Sequence, residues 1–242
     1  MQVMMLISVM ANAQFKKGIR MAGANIGGIL FSSGSSDVSF PAPTTGFSSK
    51  TTNFGVNLSP SMGWFTSDKT AAGVSLSVNP LNTKTTYEAN GNTFQQDKSN
   101  TFNIGIGGFA RNYFNASSSF MPFGQFSTNL GISSAKTSGF FYGGSGPTAY
   151  KTTYDGKSSG GFFANISLSL GMTKLLSPHT GLDIFAGYTF SYNKTTFKTT
   201  TQRDDGNNGS IDLTTVSEPT TKFTNHGVML GVGFQIFLDQ GK

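Results

Sequence analysis

The chain has 242 residues with 12% charged residues, 31 Gly, 23 Phe and no Cys. That length suits one all-β domain of barrel size, the aromatic content argues against disorder, and no apolar run approaches the roughly 20 residues of a spanning helix. The net charge of +6 and pI near 9.5 raise nucleic acid as a partner, but the cations are scattered and no basic run exceeds Lys16-Lys17, so nucleic acid is set aside.

The first element is a short apolar segment, "VMMLISVMANAQ", ending in Ala11-Asn12-Ala13, an A-x-A cleavage pattern with Gln14 as the new first residue. Residues 1–13 are therefore expected to be an export signal and residues 14–242 one barrel domain. The basic stretch that normally precedes such a segment is missing, as in a signal cut short at its start. A buried N-terminal strand is the alternative.

From residue 18 onward a period of two recurs, the signature of strands with one apolar and one polar face. The first segment, 18–33, is the least regular, and its Gly27-Gly28 marks a candidate bulge. Segment 50–65 sets Phe54, Val56, Leu58, Met62 and Trp64 against Asn53, Gly55, Asn57, Ser59 and Ser61. Segments 70–84, 100–114 and 119–135 repeat the pattern, as do "NISLSLGM" (Asn165 to Met172), 181–196 and 223–238. Eight strands result. The connections at 66–69, 115–118 and 177–180 are tight turns. Those at 34–49, 85–99, 137–157 and 197–221 are long and rich in Thr, Ser, Gly and Asn. Long and short alternate throughout, which counts against an ordinary sandwich and matches the short periplasmic turns and long external loops of an outer-membrane barrel.

The polar rows decide which solvent each face meets. They hold Gly, Ser, Asn and Thr rather than the Lys and Glu of a water-facing sheet. The only clear mid-strand charges, Arg111 and Asp183, lie on polar rows near the short turns. A charge at the lipid midplane costs about 2–4 kcal/mol, which accounts for the uncharged apolar rows. The apolar rows are thus expected to meet lipid and the polar rows to meet each other. Closure follows, because an open sheet edge in hydrocarbon leaves backbone groups unsatisfied. The fold class expected is all-β, an eight-stranded antiparallel up-and-down transmembrane β-barrel. Trp64, Phe65, Tyr113, Phe114, Phe120 and Phe237 are expected as one aromatic girdle, and Phe54, Phe102, Phe162, Phe190 and Tyr192 as the other.

On the A-x-A signal and these eight strands, the chain resembles the small outer-membrane barrels of the OmpA/OmpX type. "NAQF" and the Gly, Asn and Thr richness resemble barrel proteins of Bacteroidetes. The last strand is similar to the assembly signal of such proteins at Met229, Gly231, Phe234 and Ile236, with Met229 departing from its polar first position. The resemblance implies insertion by the outer-membrane assembly machinery and location in the outer membrane of a Gram-negative bacterium. It implies no specific activity.

Catalytic material is sparse. His179 lies in a turn beside Pro178, and His226 falls on a lipid row with no local acid to orient it. Gly105-Ile106-Gly107-Gly108 and Gly143-Gly144-Ser145-Gly146 open no helix and are not phosphate loops. "RDDGNNGSID" (Arg203 to Asp212) is oxygen-rich but lacks the final Glu of a Ca²⁺ loop. No enzyme activity, cofactor or metal is expected.

The lumen is expected to be lined by Asn57, Ser59, Ser75, Ser77, Asn103, Gln125, Asn129, Asn165, Ser167, Ser169, Thr189, Ser191 and Gln235. Arg111 and Asp183 would pair across the short-turn end, and inward Gly at 55, 73, 105, 131, 187 and 231 would leave room for a thin file of water. Lys50, Lys84, Lys98, Lys136, Lys157, Lys194 and Lys222 sit at strand–loop junctions, level with the phosphates of outer-leaflet lipopolysaccharide; solvation of loop ends is the alternative for them. Three roles stay open: a structural or surface-interaction barrel with a partner for its long loops, a small-solute pore, and a soluble lipocalin-like barrel.

Overall fold

The computed structural model describes residues 15–38, 46–115, 119–144 and 146–238. The expected export signal at 1–13, the middle of the loop at 34–49 and most of the turn at 115–118 lie outside the described residues. Among the described residues there are nine strands: β1 (Arg20–Val38), β2 (Phe47–Phe65), β3 (Thr70–Ala89), β4 (Asn92–Tyr113), β5 (Phe120–Gly143), β6 (Tyr150–Ser177), β7 (Thr180–Asp205), β8 (Leu213–Ser217) and β9 (Thr220–Leu238). Neighbours in sequence pair antiparallel from β1 to β7. Then β7 pairs with β9, and β9 returns to β1 through Arg20↔Leu238 to Ile26↔Val232. Eight strands form the ring. The short β8 stands outside it, paired only with the upper part of β7 from Thr199↔Ser217 to Arg203↔Leu213.

The ring strands run from 19 to 28 residues, against the roughly 9–11 that cross a bilayer. The excess lies on the long-loop side. Much of what reads in sequence as loop is strand. At 85–99 the strands continue to a two-residue hairpin, Asn90-Gly91, with φ of 52° and 75°. Two positive φ values make the turn whose twist matches paired strands. Residues 137–157 likewise extend β5 and β6, and 197–221 extend β7 and add β8.

Along each strand the period of two is realised as two surfaces. Even-numbered apolar side chains of β2 to β7 and β9 point out, with Ile106, Leu168, Ile184, Leu230 and Val228 all more than 60% exposed. Odd-numbered residues of these strands point in, except in β6 above the slip described below, where parity inverts and Lys157 is exposed while Thr152 and Gly156 are buried. Gly27 forms a bulge in β1, where the register with β2 slips between Ile26 and Gly28. A second slip in β6 lies between Ser158 and Gly160.

Candidate functional site

Three layers fill the short-turn half of the barrel. The lowest is apolar. Phe15, just ahead of β1, inserts between Phe65, Phe237 and Tyr113, with ring centroids 4.4, 4.6 and 5.2 Å away. Met21, Met121 and Leu175 complete this buried cluster. Phe65, Tyr113 and Phe237 were expected in a lipid-facing girdle, and that is corrected here. Each lies on the odd, inward row of its strand and is at most 3% exposed. Trp64, Phe114 and Phe120 remain on the outside.

Directly above lies an ionic layer. Arg111 of β4 and Asp183 of β7 pair across the lumen, Nη1 to Oδ2 at 2.7 Å, with side chains 1% and 0% exposed. A buried pair is tolerable only when other groups share its donors and acceptors, and here four side chains do. Arg111 Nε donates to Gln125 Oε1 at 2.7 Å and Nη1 to Tyr113 Oη at 3.2 Å. Asp183 accepts from Thr173 Oγ1 at 2.6 Å and from Gln235 Nε2 at 3.0 Å. The guanidinium also lies 3.9 Å from the Phe123 ring centroid, a cation–π contact.

The third layer corrects the expectation about glycine. Four of the six expected inward Gly residues, Gly73, Gly105, Gly131 and Gly231, make room for inward Phe rings rather than for a file of water, while Gly55 and Gly187 abut no ring. A Cβ at Gly73 would come within 2.6 Å of the Phe109 ring, and one at Gly105 or Gly131 within 2.6 Å of Phe163. Gly231 likewise abuts the Phe185 ring. Only about 80 Å³ stays open between these rings and the ionic layer, beside Asn25, Ser59, Ser75, Gln125, Asn129 and Ser167. At roughly 30 Å³ per molecule, that holds two or three waters.

All the residues expected in the lumen lie on inward rows. Asn57, Ser59, Ser75, Asn129, Asn165, Ser167 and Thr189 border the small space. Ser77 is buried and donates to Gly105 O at 3.4 Å, and Ser169 donates to Gln125 O at 3.5 Å. Asn103 and Ser191, with Asn57 and Asn165, line a larger cavity of about 800 Å³ in the long-loop half. Sequence reasoning missed Phe15, Phe109, Phe123, Phe163, Phe185 and Thr173. Strand parity was the signal that could have found those within strands.

The seven lysines of the expected collar are exposed and lie on the outer surface, and Lys198 joins them. Register sets them directly opposite one another as Lys84↔Lys98, Lys136↔Lys157, Lys157↔Lys198 and Lys194↔Lys222. Higher up, inside the extended strands, Tyr154 donates to Asp97 Oδ1 at 2.6 Å, and burial followed by that hydrogen bond raises the phenol pKa. His226 lies on the outer face, 2.7 Å from Tyr188 Oη, and His179 Nδ1 is 3.3 Å from Phe237 O. In the "RDDGNNGSID" loop, Asp204 accepts from the Asn208 and Gly209 amides at 2.9 and 2.8 Å. Asp212 accepts from the Asp205 amide at 2.6 Å, so both acids brace the turn. Among the described residues no group of three acidic or His side chains converges as a metal site.

An apolar outer band around a ring of eight strands whose short-turn half is packed with side chains defines a transmembrane β-barrel. No protein-family model and no curated protein matches the sequence. Among solved structures, the outer membrane protein OprG from Pseudomonas aeruginosa is similar at 16% identity and TM-score 0.36, covering 92% of this chain and 98% of that one. Neisserial surface protein A is similar at 16% identity and TM-score 0.31, covering 90% of this chain and 95% of that one.

Proposed function

We propose that this chain is an integral outer-membrane barrel with a structural or surface-facing role, sealed at its short-turn end, whose extended strands stand out from the cell. The observation that carries the reading is the floor. A buried Arg111–Asp183 pair, hydrogen-bonded to Gln125, Tyr113, Thr173 and Gln235, rests on a close-packed aromatic layer, and packed rings oppose the passage of a hydrated ion. The competing small-solute pore draws support from the 800 Å³ cavity above, but the floor opposes through-passage. A lipocalin-like barrel would keep its apolar rows inside, the reverse of what the outer rows of β4 and β9 suggest. The assembly machinery would engage the last strand through Gly231, Phe234 and Ile236.

The test is conductance in planar bilayers. The unmodified protein should give at most small, flickering currents, and Arg111→Ser with Asp183→Ser should raise them several-fold. Large steady openings before substitution would replace the sealed barrel with the pore.

A further inference from the structure

The ring is unevenly closed. Each of the other ring seams is paired over most of its length, but β1 and β9 pair only from Arg20↔Leu238 to Ile26↔Val232. Above the Gly27 bulge β1 stays with β2 as far as Val38↔Phe47, and β9 stays with β7 as far as Thr196↔Thr220. Bulges bend and twist a strand away from its partner. The two edges therefore separate, and among the described residues nothing pairs with β9 on that side from Thr220 to Gly231. Exposure agrees. Asn225 and Phe223, on the inward row of β9, are exposed, while Thr195 at similar height on β7 is buried. A Cβ at Gly227 would meet nothing within 4 Å.

This slot leads into the upper cavity. The lining of that 800 Å³ space includes Thr221, Phe223, Asn225 and Met229 of the unpaired stretch of β9, together with Asn103 and Phe163 from inside the barrel. The cavity thus reaches from the lumen to the free edge of β9. The slot starts at the level of Lys222 in the lysine rows and runs down toward the middle of the barrel, which on the membrane-spanning reading is the height of the outer leaflet. Unpaired backbone groups cannot face hydrocarbon, so the slot must hold water or a molecule with hydrogen-bonding groups.

The lining determines what kind of molecule. Among the described residues it includes no Asp, Glu, Lys or Arg, so an ion entering would lose hydration without gaining a partner. It combines apolar side chains with amides, and Asn79 Oδ1 and Asn103 Oδ1, opposite each other in register, are buried without a partner. The volume lies within the roughly 300–1,000 Å³ of small-molecule sites. From these observations we infer that the upper cavity binds a neutral small molecule with an apolar body and a hydrogen-bond donor. The molecule exchanges with the outer leaflet through the β1–β9 slot, because the floor blocks the way down. This rests on the membrane-spanning reading above.

The probe is 10-bromodecan-1-ol dissolved in phospholipid vesicles carrying the protein, its bromine quenching tryptophan on contact. Phe163→Trp in a Trp64→Phe background reports the cavity, and Phe223→Trp does so independently if the first variant misfolds. Native Trp64, on the outer face, reports the lipid. Quenching at the cavity positions should saturate, and 10-bromodecanoate should be at least tenfold weaker there. Carrying the register across the bulge sets Ser32 opposite Gly227. Cysteines at both positions, joined by oxidation or a short bis-maleimide, should slow cavity quenching at least fivefold, with reduction of the disulfide restoring it. Linear quenching of equal strength at cavity and lipid positions, or a joined slot with unchanged rate, would overturn the inference. Absence of quenching at Trp64 would instead mean that the chain is not in the bilayer, a failure of the underlying reading.

Discussion

Arg111 and Asp183 illustrate how far single residues can be read. They are the only clear charges on polar rows near the short turns, so parity alone puts both in the lumen, where a buried charge needs an opposite partner. The structure sets them 2.7 Å apart. The aromatic residues beside them were less legible because residue type competes with parity. Phe65 next to Trp64 looks like one interfacial pair, yet adjacent strand positions face opposite sides. Only Trp64 stays outside. Phe15 carried no strand signal, since it precedes β1 and reaches the floor through its own packing. The ionic layer makes a specific prediction. Arg111→Leu alone leaves Asp183 buried and unpaired and should cost about 3–5 kcal/mol. Arg111→Leu with Asp183→Leu should cost less than that single change. Urea unfolding from lipid vesicles, followed by Trp64 fluorescence, measures both, and a double variant weaker than the single would refute the ion-pair account.

Elements were legible where their two faces meet different solvents. Between Phe102 and Gly107 the outer face is apolar and the inner one small or polar, and the alternation is plain. Above the membrane both faces of a strand meet water, so the contrast vanishes. Residues 85–99 then read as a Thr- and Asn-rich loop, although Thr, Tyr and Phe are good strand formers. The remaining local cue was Asn90-Gly91, the pair that a two-residue hairpin turn prefers. Gly91, at φ 75°, should be replaceable only at the expense of that ribbon. Gly91→Val should make residues 85–99 sensitive to protease added to intact cells. Heat-modifiable migration on SDS gels, which reports the barrel, should be unchanged. Loss of that migration would mean that the ribbon is part of the barrel's stability rather than an extension of it.

At the scale of the whole molecule the barrel is organised in levels: an aromatic and ionic floor, a lipid-facing band, a slotted cavity, then lysine rows and strands standing above. Lysines directly opposite one another repel, and register places Lys84 against Lys98 and Lys194 against Lys222. Anions between them would relieve that repulsion, and the proposal is that phosphates of lipopolysaccharide fill that role. Replacing Lys50, Lys84, Lys98, Lys136, Lys157, Lys194 and Lys222 by Gln should therefore lower the lipopolysaccharide that co-purifies, measured as phosphate per barrel. Unchanged content would leave the lysines as ordinary solvated strand ends.

The central claim is that across the membrane band the even row of β2 to β7 and β9 faces lipid while the odd row faces the barrel interior. It is tested most directly by attaching a nitroxide label, one position at a time, along β4 from Phe102 to Ala110 in lipid vesicles. Collision rates with oxygen, which concentrates in hydrocarbon, are then compared. The account predicts high rates at Phe102, Ile104, Ile106, Gly108 and Ala110 and low rates at Asn103, Gly105, Gly107 and Phe109. A flat profile, or one with the two rows reversed, would contradict it.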